Sequence, residues 1–512
     1  MSFSISVLFS FLSAGLLVLS FPKFNLSFLA WIALVPVLSV CLDSKPKRSF
    51  LLGIIFGVTF YCGLMYWLIP TFRVAGESPW AGFLALLLLS SYLALYKGIF
   101  FYAISLAGRS GLRSSVLFPV FSSGLWVVLE YLRTTLFGGF PWGVIGYSQW
   151  NFLTLIQVSD IMGVYGVSFA VLFVNAAASQ LIKGRLISVI RSLVLTVFVL
   201  TLIFIYGLRS LKIHGSVSSG RYPGMRVAIL QGNIDQYKKW DEKYVREIMD
   251  TYESLALESK RQKPDLIIWP ESSVPGYLFQ SPELLTRIKR IVSETGAYHL
   301  VGSVDFNDTE YFNSAFLFSP GAGKVSRYDK VHLVPFGETV PFKPLLGKFI
   351  KTVGVLGDFS SGKDFIVFSP PFARFSASIC FESIFPYISR RFVRNGAQFI
   401  VNITNDAWYL KTAAPYQHFA FNVFRAVENR RPVVRCANTG ISGIIDKCGS
   451  VIRKTPIFET ALFSADVHIE PANTRLTFYT RYGDVFAVLC LVLVIIVGVL
   501  DLRGRFLADK MR

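Results

Sequence analysis

The chain has 512 residues, 53% of them hydrophobic, with 47 Phe and a mean hydropathy of +0.51. That balance excludes an ordinary soluble enzyme, and the length allows two or three domains. A formal net charge of +19 would suit nucleic acid, but there is no basic stripe with interleaved aromatics. Much of the excess flanks apolar runs, so anionic lipid head groups are the expected partner and nucleic acid is not.

A bilayer crossing takes about 17 to 25 apolar residues. Such runs lie near 3–20, 25–42, 50–69, 82–107, 115–136, 164–182, 188–208 and 484–502, predicting an α-helical membrane bundle of about eight spans. The fifth is the most polar, with Glu130 and Arg133 near its end. Buried helices of a soluble core do not come in such numbers. No Lys or Arg precedes the first run, so it lacks the charged start of a cleaved signal peptide and is expected to be retained.

Charge gives the expected orientation. Lys45, Lys47 and Arg48, then Arg109 and Arg113, then Lys183, Arg185 and Arg191, and finally Arg503, Arg505, Lys510 and Arg512 fall on one side. The opposite short loops hold only Lys23, Arg73 and Arg133. The positive-inside rule puts the first set, and both termini, in the cytoplasm. Three parts are expected: seven membrane helices over 1–211, an extracytoplasmic domain over 212–483, and a last helix with a cytoplasmic tail over 484–512.

From Met225 the pattern changes to short apolar runs bounded by turns. RVAILQ (226–231), DLIIW (265–269), HLVGSV (299–304), FSASIC (375–380), FIVNIT (399–404), VVRCA (433–437) and GIID (443–446) read as buried strands. Helical stretches fall at 241–260 and 283–295, the second opened by Ser281-Pro282-Glu283. The alternation predicts a layered α/β domain. Its cysteines, Cys380, Cys436 and Cys448, are odd in number, so at least one is unpaired there. No Cys/His ligand spacing is present, and neither a metal nor another cofactor is expected.

Three stretches of this domain carry chemistry: Trp269-Pro270-Glu271-Ser272, YDKVHLVPFGE at 328–338, and Ile379-Cys380-Phe381-Glu382. They supply a carboxylate, an ammonium and a thiol. A thiol with a base for its proton and a cation for the developing oxyanion can transfer an acyl group through a thioester. Each residue also has an ordinary reading. Cys380 could be a buried structural cysteine, Glu271 a solvated loop carboxylate and Lys330 a surface ion pair. Against these, Glu271 follows an apolar strand beside Trp269 and Pro270, a setting that raises a carboxyl pKa, and Cys380 closes another strand. Glu338 and Glu382 could position the lysine or tune the base, and His332 offers a competing Cys–His dyad.

In these stretches the chain resembles the apolipoprotein N-acyltransferases, membrane members of the nitrilase (carbon–nitrogen hydrolase) superfamily. The resemblance extends to Gly139-Phe140-Pro141-Trp142, Gly146-Tyr147-Ser148-Gln149, Gln231-Gly232-Asn233, Lys239-Trp240-Asp241, Tyr311–Asn313 and Thr404-Asn405-Asp406-Ala407-Trp408. It implies a nitrilase-like αββα sandwich with Glu271, Lys330 and Cys380 as catalytic triad. Trp240, Asn313, Glu338, Phe381 and Glu382 are implied as supporting or substrate-binding residues. Phe381 stands where relatives often carry Tyr, so a hydroxyl is not available there. The implied donor is a phospholipid, and the acceptor is the α-amino group of an S-diacylglyceryl-cysteine at a lipoprotein N-terminus. The enzyme is expected to act as a monomer in the bacterial inner membrane, with its catalytic domain in the periplasm.

Both substrates are lipid-anchored, so the site needs an apolar approach. The segment 341–357, with Lys343, Lys348 and Lys351, could be a membrane-facing arm, and Gly138-Gly139-Phe140-Pro141-Trp142 could close the other side. Two rival functions remain open on the sequence. One is a membrane-tethered amidase that passes the acyl group to water. The other is a transporter or scaffold, which would need ionisable residues along a path; only Lys97, Glu130, Arg133, Asp160 and Arg191 lie in or near the spans.

Overall fold

The computed structural model describes residues 2–182, 186–215, 224–307, 309–321, 323–339 and 359–510, with side chains to 503. The chain divides into a helical unit (Met1–Ile69, Trp80–Ile213 and Tyr482–Arg512) and a second unit (Pro70–Pro79 and His214–Arg481). The expected 341–357 arm lies outside the described residues.

Among the described residues five helices are long and apolar enough to cross a membrane: Pro46–Leu64, Pro79–Gly108, Val164–Leu181, Leu186–Gly215 and Val485–Arg503. The other expected spans differ for local reasons. Phe3–Leu19 is a 17-residue helix. The 25–42 run is broken into a 3-10 turn, Ser27–Trp31, and a helix, Val35–Cys41, whose first turn holds Pro36. Asn175 satisfies the broken ladder, accepting from Leu34 N at 2.8 Å and donating to Ala30 O at 2.9 Å. The helix Leu117–Thr135 turns Glu130 and Arg133 inward. Glu130 Oε1 accepts from Ile145 N at 2.8 Å, and Arg133 Nη1 donates to Phe140 O and Trp142 O at 2.5 and 2.7 Å. These bonds tie down the Gly138–Trp142 segment within the helical unit.

Among the described residues the second unit contains two sheets. In the first, β1 (Gly224–Gln231), β2 (Leu266–Ile268) and β4 (Tyr298–Asn307) run parallel, with β3 (Val274–Tyr277) also pairing to β4. An antiparallel hairpin of β5 (Glu310–Phe318) and β6 (Val325–Asp329) extends that sheet on one side. In the second, β7 (Phe375–Ile379), β8 (Phe399–Thr404) and β9 (Val433–Ala437) are parallel, followed by antiparallel β10 (Gly443–Ile445) and β11 (Val451–Lys454). The last strand, β12 (Ala461–His468), returns antiparallel to β1.

The sheets face one another, β1 against β9 and β5 against β7. Helices Val245–Ser259 and Pro282–Thr295 cover the first sheet, and Pro386–Arg394 and Ala414–Asn429 the second. The layering follows from burial pattern. β2, β7, β8, β9 and β10 are buried along their whole lengths, as strands with both faces covered must be. Trp269 shows how this packing serves the next loop. It is fully buried, stacks on Tyr252 with ring centroids 5.2 Å apart, and donates Nε1–H to His299 Nδ1 at 3.0 Å. Emptying such a site costs about 3–5 kcal/mol.

Candidate active site

Strand register brings the three chemical stretches together. Glu271 lies in the loop after β2, whose backbone is pinned to β4 by Trp269 N donating to Leu300 O and Ser273 N donating to Gly302 O at 2.9 and 2.8 Å. In the β5–β6 hairpin Ser314 faces Asp329. The next pair outward is Asn313 and Lys330, joined by Lys330 N donating to Asn313 O at 2.9 Å. Cys380 follows β7 directly and takes a positive φ of 52°, a conformation that costs a non-glycine residue energy and turns its side chain out of the strand.

The carboxylate of Glu271 is held from both sheets. Its Oε1 accepts from Asn313 Nδ2 at 2.8 Å, and its Oε2 accepts from the backbone N–H of Asn405 at the end of β8, also at 2.8 Å. Lys330 Nζ lies 3.6 Å from Glu271 Oε1 and 2.9 Å from the Glu338 carboxylate. Asn313 Nδ2 also donates to Glu338 Oε1 at 2.9 Å, so one amide bridges the two carboxylates. Lys330 is 1% exposed. Burial opposes its charge, but Glu338 and then Glu271 outweigh it and hold its pKa above the ordinary lysine range. The buried thiol of Cys380 is pushed up by desolvation and by the negative charge of Glu271, while Lys330 pulls it back. A thiol in that position ionises only as its proton passes to a base.

Glu382 is the strap. Fully buried, its Oε1 accepts from Tyr328 Oη at 2.8 Å, Val331 N at 2.7 Å and His332 N at 3.2 Å, and its Oε2 from Ile379 N at 2.7 Å. It joins the lysine loop to the turn that carries Cys380. Burial raises its pKa to about 7. Phe381 packs its ring 5.2 Å from Phe385 and 6.1 Å from His332.

Two residues singled out in the sequence make no hydrogen bond to Glu271, Lys330 or Cys380 among the described residues. His332 Nδ1 meets Tyr387 Oη at 2.9 Å and its ring lies 3.8 Å from that of Phe385. Burial, and then the charge of Lys330, lower its pKa to about 4. Trp240 is 37% exposed, and among the described residues no hydrogen bond or ring contact ties it to the cluster.

Its neighbour Lys239 is on the site instead, donating from Nζ to Glu271 O at 2.9 Å. Also unassigned by the sequence reading is a buried group behind Cys380. His418 Nε2 lies 3.1 Å from Cys380 O, and Asn402 Nδ2 donates to the same oxygen at 3.4 Å. On its other side His418 Nδ1 lies 2.9 Å from Asp406 Oδ1, and Arg435 Nη2 donates to Asp406 Oδ2 at 2.8 Å. None of the six cysteines is in a disulfide. Among the described residues no group of three His, Cys, Asp or Glu side chains is placed to hold a metal ion.

Residues 13–177 match the family described as apolipoprotein N-acyltransferase N-terminal domain, and residues 226–473 match carbon-nitrogen hydrolase. The apolipoprotein N-acyltransferase of Geobacter metallireducens is 41% identical over 509 residues, covering 97% of this chain and 95% of the relative. That of Chlorobaculum tepidum is 32% identical over 513 residues, covering 94% and 93%. Among solved structures, an amidase from Nesterenkonia sp. is similar over 50% of this chain and 96% of its own, at 19% identity and a TM-score of 0.38.

Proposed function

The chain belongs to the apolipoprotein N-acyltransferase family, and on that premise we propose that Cys380 carries the acyl group, Glu271 moves its proton and Lys330 fixes the charges around them. The enzyme is an N-acyltransferase. It moves a fatty acyl chain from a phospholipid, through a cysteine thioester, to the N-terminal amino group of an S-diacylglyceryl-cysteine in a lipoprotein.

In the first half-reaction Glu271 takes the Cys380 proton while sulfur attacks the ester carbonyl carbon. A C–S bond forms and the carbonyl electron pair moves to oxygen. Collapse breaks the ester C–O bond, and the lysophospholipid oxygen leaves with the proton from Glu271. In the second, the acceptor amine attacks the thioester, a C–N bond forms and the C–S bond breaks. Glu271 takes the amine proton and returns it to sulfur. Asn313, Glu338 and Glu382 position these groups, Asn313 by its hydrogen bond to Glu271 Oε1.

One observation carries the reading. The Glu271 carboxylate is fixed by donors from both sheets, with the Lys330 ammonium 3.6 Å away, and the charges of both bear on the buried thiol. The membrane part is read as eight spans and the catalytic domain as periplasmic, on the bias of Lys and Arg toward the opposite loops. The working unit is read as a monomer. Release of the acyl group to water is favoured by no observation.

The test uses purified full-length chain and a phospholipid labelled in its acyl chain. Wild type should acquire label, Cys380→Ser should not, and a diacylglyceryl lipopeptide with a free N-terminus should remove it as labelled lipopeptide. Release mainly as free fatty acid would favour the hydrolase instead.

A further inference from the structure

We propose that Lys239 is a further residue of the acyl-transfer reaction, supplying the positive charge that stabilises the anion formed at Cys380. The inference rests on the assignment of Cys380 above. Lys239 is 3% exposed. Its Nζ donates to one neutral acceptor, the peptide oxygen of Glu271, at 2.9 Å, and among the described residues no carboxylate lies within 4.0 Å of it. Lys330 differs on this point, since its charge is already set against Glu338 at 2.9 Å and Glu271 at 3.6 Å.

A buried ammonium without a counter-ion is unfavourable, and folds avoid it unless something else requires the charge. The charges that bear on Lys239 are those of Glu271 and Cys380. In the resting site the carboxylate of Glu271 answers it at a distance. When Glu271 becomes protonated on taking the thiol proton, its negative charge moves to sulfur and then to the ester oxygen. Lys239 is then a cation near an anion in a water-poor pocket, where preorganised charge acts most strongly. Lys330 keeps Glu338 as its partner throughout.

The hydrogen bond to Glu271 O and the charge are separable. Lys239→Gln keeps an N–H donor without charge, Lys239→Met removes both, and Lys239→Arg keeps both. The readout is alkylation of Cys380 by iodoacetamide in the full-length chain, followed by mass spectrometry of its peptide, which needs no lipid substrate. At pH 7 both Lys239→Gln and Lys239→Met should react about tenfold more slowly than wild type, and Lys239→Arg within about twofold of it. The gap should narrow at pH 9, because burial lowers the pKa of Lys239 to about 8 and wild type has then lost most of the charge.

Lys239→Gln reacting at the wild-type rate would overturn the proposal, as would a deficit equal at pH 7 and pH 9, the mark of a structural defect. Failure of Lys239→Gln to fold would also count against it, since the donor that holds Glu271 is retained. If wild type never takes up an acyl chain, the assignment of Cys380 fails, whereas equal alkylation rates remove only Lys239.

Discussion

Asn313 donates one amide group to Glu271 Oε1 at 2.8 Å, from a strand position directly across the ladder from Val304. The same amide reaches Glu338, so it keeps two carboxylates apart while Lys330 sits against both. Removing it frees Glu271 to swing toward the lysine. Asn313→Ala should slow acyl loading of Cys380 about ten- to hundredfold, the scale of small misplacements in reacting groups. Initial rates of loading from labelled phospholipid measure this. A rate within twofold of wild type would show that Glu271 is held well enough by Asn405 alone.

Glu382 accepts four hydrogen bonds, three of them from backbone N–H groups. Glutamine there must turn its amide toward at least one of those donors. Glu382→Gln should lower stability by about 1–3 kcal/mol, the scale of an unsatisfied buried donor, and slow acyl loading because the lysine loop is no longer strapped to Cys380. Thermal melting and the loading assay read the two effects separately.

The histidines set an acid limit. His299 Nδ1 accepts from Trp269 Nε1–H, and burial lowers its pKa from the ordinary 6.5 to about 3. His332 is lowered to about 4. Between about pH 6.5 and 4 the unfolded chain therefore binds more protons than the native one, and stability present above pH 6.5 is lost as pH falls. Glu382 runs the other way. Its pKa rises from 4.5 to about 7, so its contribution is present below pH 4.5 and lost as pH rises through 7. Melting temperature should fall from pH 6.5 toward 4, and less steeply in His299→Gln. A parallel fall in that variant would remove His299 from the account.

Gly302 has no room for a side chain. A Cβ there would meet Pro270 O, and would lie 2.8 Å from Glu271 Cα and 2.9 Å from Ser272 N, all main-chain atoms that cannot rotate away. Gly302→Ala should cost about 1–3 kcal/mol of stability and displace Glu271. Acyl loading should fall more than in a variant of equal melting temperature altered far from the site.

Much of this site could be read from the chain because chemistry was written where apolar strands stop. The runs before Glu271 and Cys380 are buried strands, and the two residues follow them. Lys330 was harder to place, since the strand before it, Val325–Asp329, is half exposed and lacks an apolar signature. What stayed hidden depends on long-range register. Asn405 acts through its backbone N–H, which no side chain advertises. Lys239 and His418 lie in a loop and a helix that the fold alone brings against Glu271 and Cys380. The 25–42 run looked continuous because its break, between Trp31 and Val35, is repaired by Asn175, well over a hundred residues away.

Peptide mapping of purified enzyme after incubation with phospholipid, without acceptor, tests the central claim most directly. A fatty acyl adduct on Cys380, released by neutral hydroxylamine as a thioester would be, is the predicted result. An adduct on another residue, or continued transfer to lipopeptide by Cys380→Ser, would contradict it.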